Sequence, residues 1–265
     1  FMAASVILIA IFAPLIAPYD PVEQLIWTEG REVRLAPPSV KHWMGTDIYG
    51  RDILSRIIFG ARISLQIGIF ATIVSLLIGV PLGAIAGYMG GWVDDLISWL
   101  INVVFAFPFL LFVLAVIAVF QSPSLRVVYI AIGLVNWVGI ARVVRAQFIS
   151  LRDREFVEAA KALGLPRGKI IFKHILPNAL APVIVQATLG MGSIIMTEAG
   201  LAFLGFGAQP PTPSWGLMIS EGQKYLSMGK WWWAIFPGLA IMYTVLAFNF
   251  LGDGLRDALD VRLKR

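Results

Sequence analysis

Four intervals of the chain carry no Asp, Glu, Lys or Arg: 63–93, 96–125, 174–197 and 231–252. A fifth, 127–149, carries only Arg142 and Arg145, both toward its far end. A helix rises about 1.5 Å per residue and a hydrocarbon core of about 30 Å takes about 20 apolar residues, so each interval predicts one membrane-spanning helix. Residues 1–17 are also apolar, with Pro14 near their end, and read as the outer part of a first span cut at its N-terminus. The pattern predicts an all-α polytopic membrane protein of six transmembrane helices, with a core over 63–252 and a tail over 253–265.

Between the first two spans, 18–62 is a loop of mixed charge with six acids and six bases. Its last part, 51–59, puts Ile53, Leu54, Ile57 and Ile58 on one face and Arg51, Asp52, Ser55 and Arg56 on the other, which predicts an interfacial helix. The connections near Gly90-Gly91-Trp92-Val93-Asp94-Asp95 and over 121–126 are short. The one over 207–230 is longer and holds Pro210-Pro211-Thr212-Pro213, which cannot be regular helix.

A charged island over 154–177 stands apart from this pattern. Asp153 is a candidate N-cap, Glu155 and Glu158 sit where the helix dipole favours anions, Lys161 follows, and Gly164 suits the position after the C-cap. A helix over 154–163 is about 15 Å long and cannot cross a bilayer, so it lies on a surface. Phe156, Ala160 and Leu163 share a face by spacing, and Ala159 and Ala160 keep its centre thin enough for another backbone to approach. Pro166 suits the start of a second short helix, 167–176, carrying Arg167, Lys169 and Lys173; Pro177 predicts a break before the fifth span.

Composition agrees with a membrane protein: 58% hydrophobic and 14% charged residues and a mean hydropathy of +0.82, against about 25% charged in soluble domains. With no cysteine, disulfides, iron–sulfur clusters and thiolate zinc sites are excluded, and His42 and His174 are too few and too separated for a metal site of their own. The formal charge of +5 reflects topology rather than nucleic-acid binding. The island, the tail, Arg142, Arg145 and Arg152 hold twelve of the 21 Lys and Arg residues, against nine on the other side. The positive-inside rule therefore places the island and the C-terminus in the cytoplasm.

Candidate chemistry is sparse. Gly164-Leu-Pro-Arg-Gly168-Lys169-Ile170 has three residues where a phosphate-binding loop has four between its glycines, and Ile170 replaces the hydroxyl that would hold magnesium. Ser193 follows Gly190-Met-Gly but has no histidine in a span to act as its base. Glu198 lies about 31 Å along the helix from Pro177, near the outer face, either as a pathway or gate residue or as the interfacial end of the fifth span. Asn102, Asn136, Gln186 and Asn249 are the span residues best suited to line a polar path; interhelical hydrogen bonding is the alternative for each. Gly79, Gly83 and Gly87, four residues apart, let another helix come close, and Pro81 and Pro108 predict kinks.

Glu158-Ala159-Ala160, Gly164 and Leu176-Pro177 together resemble the EAA loop of permease subunits in bacterial ABC importers. Gly45-Thr46-Asp47, Gly50-Arg51-Asp52, Gly60-Ala61-Arg62-Ile63-Ser64-Leu65, His174-Ile175-Leu176-Pro177-Asn178 and Gly200-Leu-Ala-Phe-Leu-Gly-Phe-Gly207 extend the likeness over nearly the whole chain. It is similar to the C-type permease of dipeptide, oligopeptide and nickel importers. His174 stands where the general pattern has Ile, and Asp260-Val261-Arg262 lacks the Pro that often follows the Asp. The resemblance implies a type I importer permease fold in a prokaryotic cell membrane and a homologous second permease. It also implies two cytoplasmic ATPases that bind ATP and magnesium, and an extracytoplasmic solute-binding protein. This chain itself would hold no cofactor. The 154–164 helix would dock on an ATPase, with Glu155, Glu158, Ala159, Ala160, Lys161, Gly164, Arg167 and Pro177 carrying the coupling. A secondary transporter working without an ATPase is the alternative; it would place ion ligands near the midplane, where this chain has few charges.

Overall fold

The computed structural model describes residues 1–120 and 124–259; the 121–123 part of one predicted connection and the Asp260-Val261-Arg262 departure lie outside them. Among the described residues the regular elements are helices: α1 (Met2–Ile11), α2 (Ala13–Ile16), α3 (Ile53–Met89), α4 (Gly91–Ala106), α5 (Phe109–Phe120), α6 (Leu125–Leu151), α7 (Glu155–Ala162), α8 (Arg167–Lys169), α9 (Leu176–Phe203), α10 (Trp215–Gly222) and α11 (Trp232–Leu259). Among the described residues four stretches are long and apolar enough to cross a membrane: α3, α6, Arg167–Phe203 and α11. The pair α4 and α5 passes the same test only when taken together, as a broken span or a re-entrant loop. Residues 1–17, predicted as the outer part of a first span, form the ten-residue α1, about 15 Å long, and the short α2. Outward residues such as Leu77, Met196 and Phe250 are apolar, as lipid requires.

Several boundaries differ from the pattern, each for a local reason. The third span breaks by 93° between α4 and α5, because Phe107, held in extended conformation before Pro108, cannot continue the helix. The predicted interfacial helix is the first two turns of α3, and it is covered on both faces: Ile53, Ser55 and Arg56 are fully buried while Leu54, Ile57 and Ile58 are half-buried. The last span runs on to Leu259, so helix replaces the first seven residues of the expected tail. Pro177 does not break the chain. Ile170–Ile175 forms a π turn that passes directly into α9, and Arg167–Phe203 is one stretch of 37 residues. The wider turn lets the helix pass a proline that has no N–H and would crowd an α-helical carbonyl four residues back.

The chain folds as two compact units. Unit 1 comprises Phe1–Ile69, Ile117–Tyr129 and Met191–Phe248. Its core joins Ala3, Val6 and Ala10 of α1 to Ile53, Ala61 and Leu65 of α3, with Ile195, Trp215, Met218 and Trp233. The 18–52 loop folds back on α3 through charge. Asp47 accepts backbone N–H groups from Tyr49 and Arg51 and the Nε of Arg51 at 2.6 Å, while Arg51 Nη2 reaches Glu221 at 3.4 Å. Arg56, fully buried, donates to the Pro21 carbonyl and lies 3.8 Å from Asp47. These anions explain why the polar stripe of early α3 is buried as well: the loop brings carboxylates to it.

Unit 2 comprises Phe70–Val116, Ile130–Gly190 and Asn249–Arg265. Its spine is the crossing of α3 and α6. A methyl on Gly79, Gly83 or Gly87 would stand 2.7, 2.5 or 2.6 Å from the carbonyl oxygen of Trp137, Ala141 or Arg145. The glycine stripe thus meets a helix of its own chain, in matched steps of four residues. Ser75 Oγ adds a bond to the Gly133 carbonyl at 3.2 Å.

Candidate functional site

The 150–177 segment lies wholly in unit 2. Its helix α7 begins one residue later than predicted. Arg154, in extended conformation, is the N-cap, and Asp153 instead accepts a long bond from Arg152 Nε at 3.4 Å. Glu155 and Glu158 occupy the first turn, where the N-terminal dipole favours them. The far end is closed by a Schellman turn: Gly164 N–H donates to the Lys161 carbonyl at 2.9 Å and Leu165 N–H to the Ala160 carbonyl at 3.2 Å. Gly164 has φ +71°, a left-handed conformation that costs a residue with a side chain about 1–2 kcal/mol.

The two faces of α7 differ from the predicted phase. Val157 and Ala160 are buried, packed with Ala84, Val144, Phe148, Ile170, Ile175 and Ala179. Phe156 and Leu163 are exposed, Leu163 by 80%, beside Glu158 and Ala159. Of the two central alanines, Ala160 therefore anchors the helix and Ala159 is displayed. Lys161 turns its Nζ back to the Arg152 carbonyl at 3.1 Å, which ties α7 to the end of α6. Arg167 and Pro177 are exposed, and the Asn178 side chain donates to the His174 carbonyl beside the π turn at 2.7 Å.

Of the five pathway candidates, Asn102, Asn136, Gln186 and Asn249 belong to unit 2 and Glu198 to unit 1. Gln186 lines a cavity of about 860 Å³ in unit 2, with Gln147, Asn178 and Arg256 as its other polar walls and Val143 and Leu189 among the apolar ones. Asn102 accepts a bond from Arg142 Nη2 at 3.3 Å, and that guanidinium lies over the Phe105 ring. Asn136 and Asn249 are half-buried and line neither described cavity. Glu198 belongs to unit 1, is fully buried, and accepts a bond from Ser214 Oγ at 3.0 Å; its other oxygen has no partner among the described residues.

Three features escaped the sequence reading. Asp94 and Arg145 form a two-bonded ion pair between α4 and α6, although both stood out as charges next to apolar runs. Ser214, the N-cap of α10, gives its hydroxyl to Glu198 instead of to its own helix; a serine just after the proline run was the available signal. In the 18–52 loop, His42 is buried between Asp52 at 3.0 Å and Glu29 at 3.3 Å. The Lys41 ammonium, 2.7 Å from Glu29, holds that carboxyl below the ordinary carboxylate range, and burial pushes Glu221 above it.

The fold has solved counterparts. A chain of the MetNI methionine ABC transporter in an inward-facing conformation matches with a TM-score of 0.62 at 18% identity, covering 78% of this chain and 97% of that one. At that identity the likeness is one of fold, and it defines the architecture as that of a type I importer permease. In sequence, residues 79–265 match the family described as binding-protein-dependent transport system inner membrane component. A dipeptide transport system permease protein of Alkalihalophilus pseudofirmus is 51% identical over 98% of this chain and 83% of its own length. A glutathione transport system permease protein of Pectobacterium atrosepticum is 43% identical over 97% and 84%. The chain belongs to the binding-protein-dependent transport system inner membrane component family, as a permease subunit of an ATP-driven importer.

Proposed function

We propose that this permease forms half of a pathway for di- and oligopeptides and is driven through α7 by a separate cytoplasmic ATPase. The observation that carries the coupling role is the two-faced build of α7. Its inner face, Val157 and Ala160, is fixed in the unit 2 core; its outer face presents Phe156, Glu158, Ala159 and Leu163 on a helix too short to hold itself. Force applied to such a helix passes through the core to α6 and α9. Glu155 and Glu158 supply charge to the docking ridge, Gly164 ends it, and Lys161 pins it to α6. Arg167 and Pro177 belong to the stretch that carries the motion into α9. The excess of Lys and Arg puts this loop and the C-terminal end of α11 in the cytoplasm.

A homologous second permease completes the pathway in this reading, two ATPases supply ATP hydrolysis with magnesium, and an extracytoplasmic binding protein delivers cargo. Peptide cargo is supported by the relatives named for dipeptide and glutathione transport. The cavity that Gln186 lines suits a peptide, since its amides match backbone groups and Arg256 matches a carboxylate. The test is uptake of a labelled dipeptide by the full-length permease reconstituted with its partner subunits. Uptake should require ATP, and Phe156→Ala with Leu163→Ala should lower the ATPase co-purifying with the permease. Gradient-driven uptake by the permease alone would overturn the proposal.

A further inference from the structure

We propose that unit 2 carries a site for the phosphate of an anionic membrane lipid, in a cavity of about 530 Å³ beside α7. Three predicted membrane crossings end at this cavity. Tyr88 and Met89 are the last residues of α3, Arg152 and Asp153 follow α6 directly, and Arg167 opens the stretch that continues as α9. The ends of spans lie at the depth of the lipid headgroups, on whichever side of the membrane they fall. Lys161 and Arg167 also belong to the coupling stretch of the proposed function, so bound lipid and bound ATPase are read separately.

The lining is that of an oxyanion site. Arg152, Lys161 and Arg167 stand against one carboxylate, Asp153. Two of the cations have neutral partners: Arg152 Nη1 donates to the Gly87 carbonyl at 3.1 Å and Lys161 Nζ to the Arg152 carbonyl at 3.1 Å. The one ionic link is the 3.4 Å bond from Arg152 to the largely exposed Asp153. Arg167 has no ion-pair partner among the described residues. Three cations against one carboxylate leave a net positive charge, and the exposed Arg167 guanidinium offers the forked donor that fits phosphate. Tyr88 and Met89 supply an amphipathic and an apolar wall beside the cations, which suits the junction of a headgroup with its acyl chains better than a free ion. The cavity is also within the size range of small-molecule sites, about 300–1,000 Å³.

The experiment uses the full-length permease assembled with its partner subunits and exchanged into vesicles of phosphatidylglycerol or of phosphatidylcholine, with bound lipid read by mass spectrometry after delipidation. Phosphatidylglycerol should be retained in preference to phosphatidylcholine, and Arg167→Gln should lower its retention about fivefold, in line with about 1 kcal/mol per basic residue at a lipid surface. Arg167→Lys should keep most of it, which separates lost charge from lost folding. A second arm adds inorganic phosphate. Displacement by phosphate alone, with the same dependence on Arg167, supports the oxyanion site and assigns it to free phosphate. Equal retention of phosphatidylglycerol by the wild type, Arg167→Gln and the Arg152→Gln/Lys161→Gln/Arg167→Gln variant overturns the proposal. So does loss of the ATPase from these variants with lipid retention unchanged, because the cavity would then serve an acidic segment of that protein.

Discussion

Arg145 grips Asp94 with two parallel hydrogen bonds, Nε to Oδ1 at 2.5 Å and Nη2 to Oδ2 at 2.6 Å. The pair ties the first turn of α4 to α6 four residues beyond Ala141, where α3 crosses closest. The arginine side chain is about one-third exposed, so solvent screening leaves the pair worth about 1 kcal/mol in spite of its geometry. Asp94→Asn should lower the melting temperature of the detergent-purified protein by a few degrees, consistent with a loss of about 1 kcal/mol. The exchanged pair Asp94→Arg/Arg145→Asp should recover part of that loss. No recovery, with both single variants equally unstable, would mean that the two residues act separately.

A methyl on Gly83 would meet the Ala141 carbonyl oxygen at 2.5 Å and Val144 Cβ at 2.8 Å. The neighbour is helix backbone and cannot step aside, so Gly83→Ala must push α3 from α6 at a cost of about 1–3 kcal/mol. Thermal stability and membrane yield should both fall. Gly190→Ala, in a helix with open space around the position, should leave both unchanged or slightly improved. Similar melting curves for the two variants would contradict the close crossing.

The central alanines of α7 give opposite expectations. Ala159→Trp places bulk on the exposed face and should reduce ATPase binding with little change in stability. Ala160→Trp drives an indole into a core already filled by Phe148 and Ile175 and should destabilise unit 2 itself. Gly164→Val should fall between them, since it strains the Schellman turn by about 1–2 kcal/mol and frays the helix that the ATPase would grip. Measuring stability and ATPase co-purification side by side separates the three, and equal effects at Ala159 and Ala160 would deny the two-faced helix.

Four spans were legible because lipid leaves no room for charge, but the charge-free run 96–125 hides the 93° bend between α4 and α5. What the helices touch was not legible. The Gly79, Gly83, Gly87 spacing announced a close approach, but the partner, α6, is some sixty residues away and only folding brings it there. The phase of α7 was misread for a related reason. Spacing put Phe156, Ala160 and Leu163 on one face, but the core that α7 meets takes Val157 and Ala160 and leaves Phe156 and Leu163 outside. Early α3 shows the converse, since Arg56 belongs inside once Asp47 arrives from the loop. Pro177 and Pro108 were both visible as disruptors. The outcome depended on the preceding residues: a π turn accommodates Pro177, while extended Phe107 turns the chain before Pro108.

The 18–52 loop should hold its fold over a wide range of pH. Lys41 keeps the Glu29 carboxyl below its unfolded value of 4.5, so this contribution is complete above that value and is lost as pH falls through the lower folded one. Lys41 is raised in turn by Glu29, so its share is complete below 10.5 and is lost only as pH rises beyond that. Limited proteolysis of the purified protein should find the loop equally resistant from about pH 5 to 9 and more susceptible once the pH falls below the ordinary carboxylate range. Glu29→Gln should remove the acid-side change. Loss of resistance already at neutral pH in the wild type would show that another group controls the loop.

Glu198 and Ser214 set the last expectation. The carboxyl group is fully buried, with one oxygen bonded to the Ser214 hydroxyl, and among the described residues the other has no partner and no cation pairs with it. Glutamine has the same shape, still accepts from the serine and brings no charge, so Glu198→Gln should retain both fold and transport if the residue is a structural tie between α9 and α10. Glu198→Ala leaves the hydroxyl unpaired and opens a small void, and Ser214→Ala leaves a carboxylate oxygen unpaired. Each should cost about 1–3 kcal/mol. The double variant should cost less than the sum, because each single change already removes the shared bond. A pathway or gate role predicts a different split: Glu198→Gln would lower uptake while the melting temperature stays put, and Ser214→Ala would follow it. Uptake and melting temperature measured on the same four proteins decide between the tie and the gate.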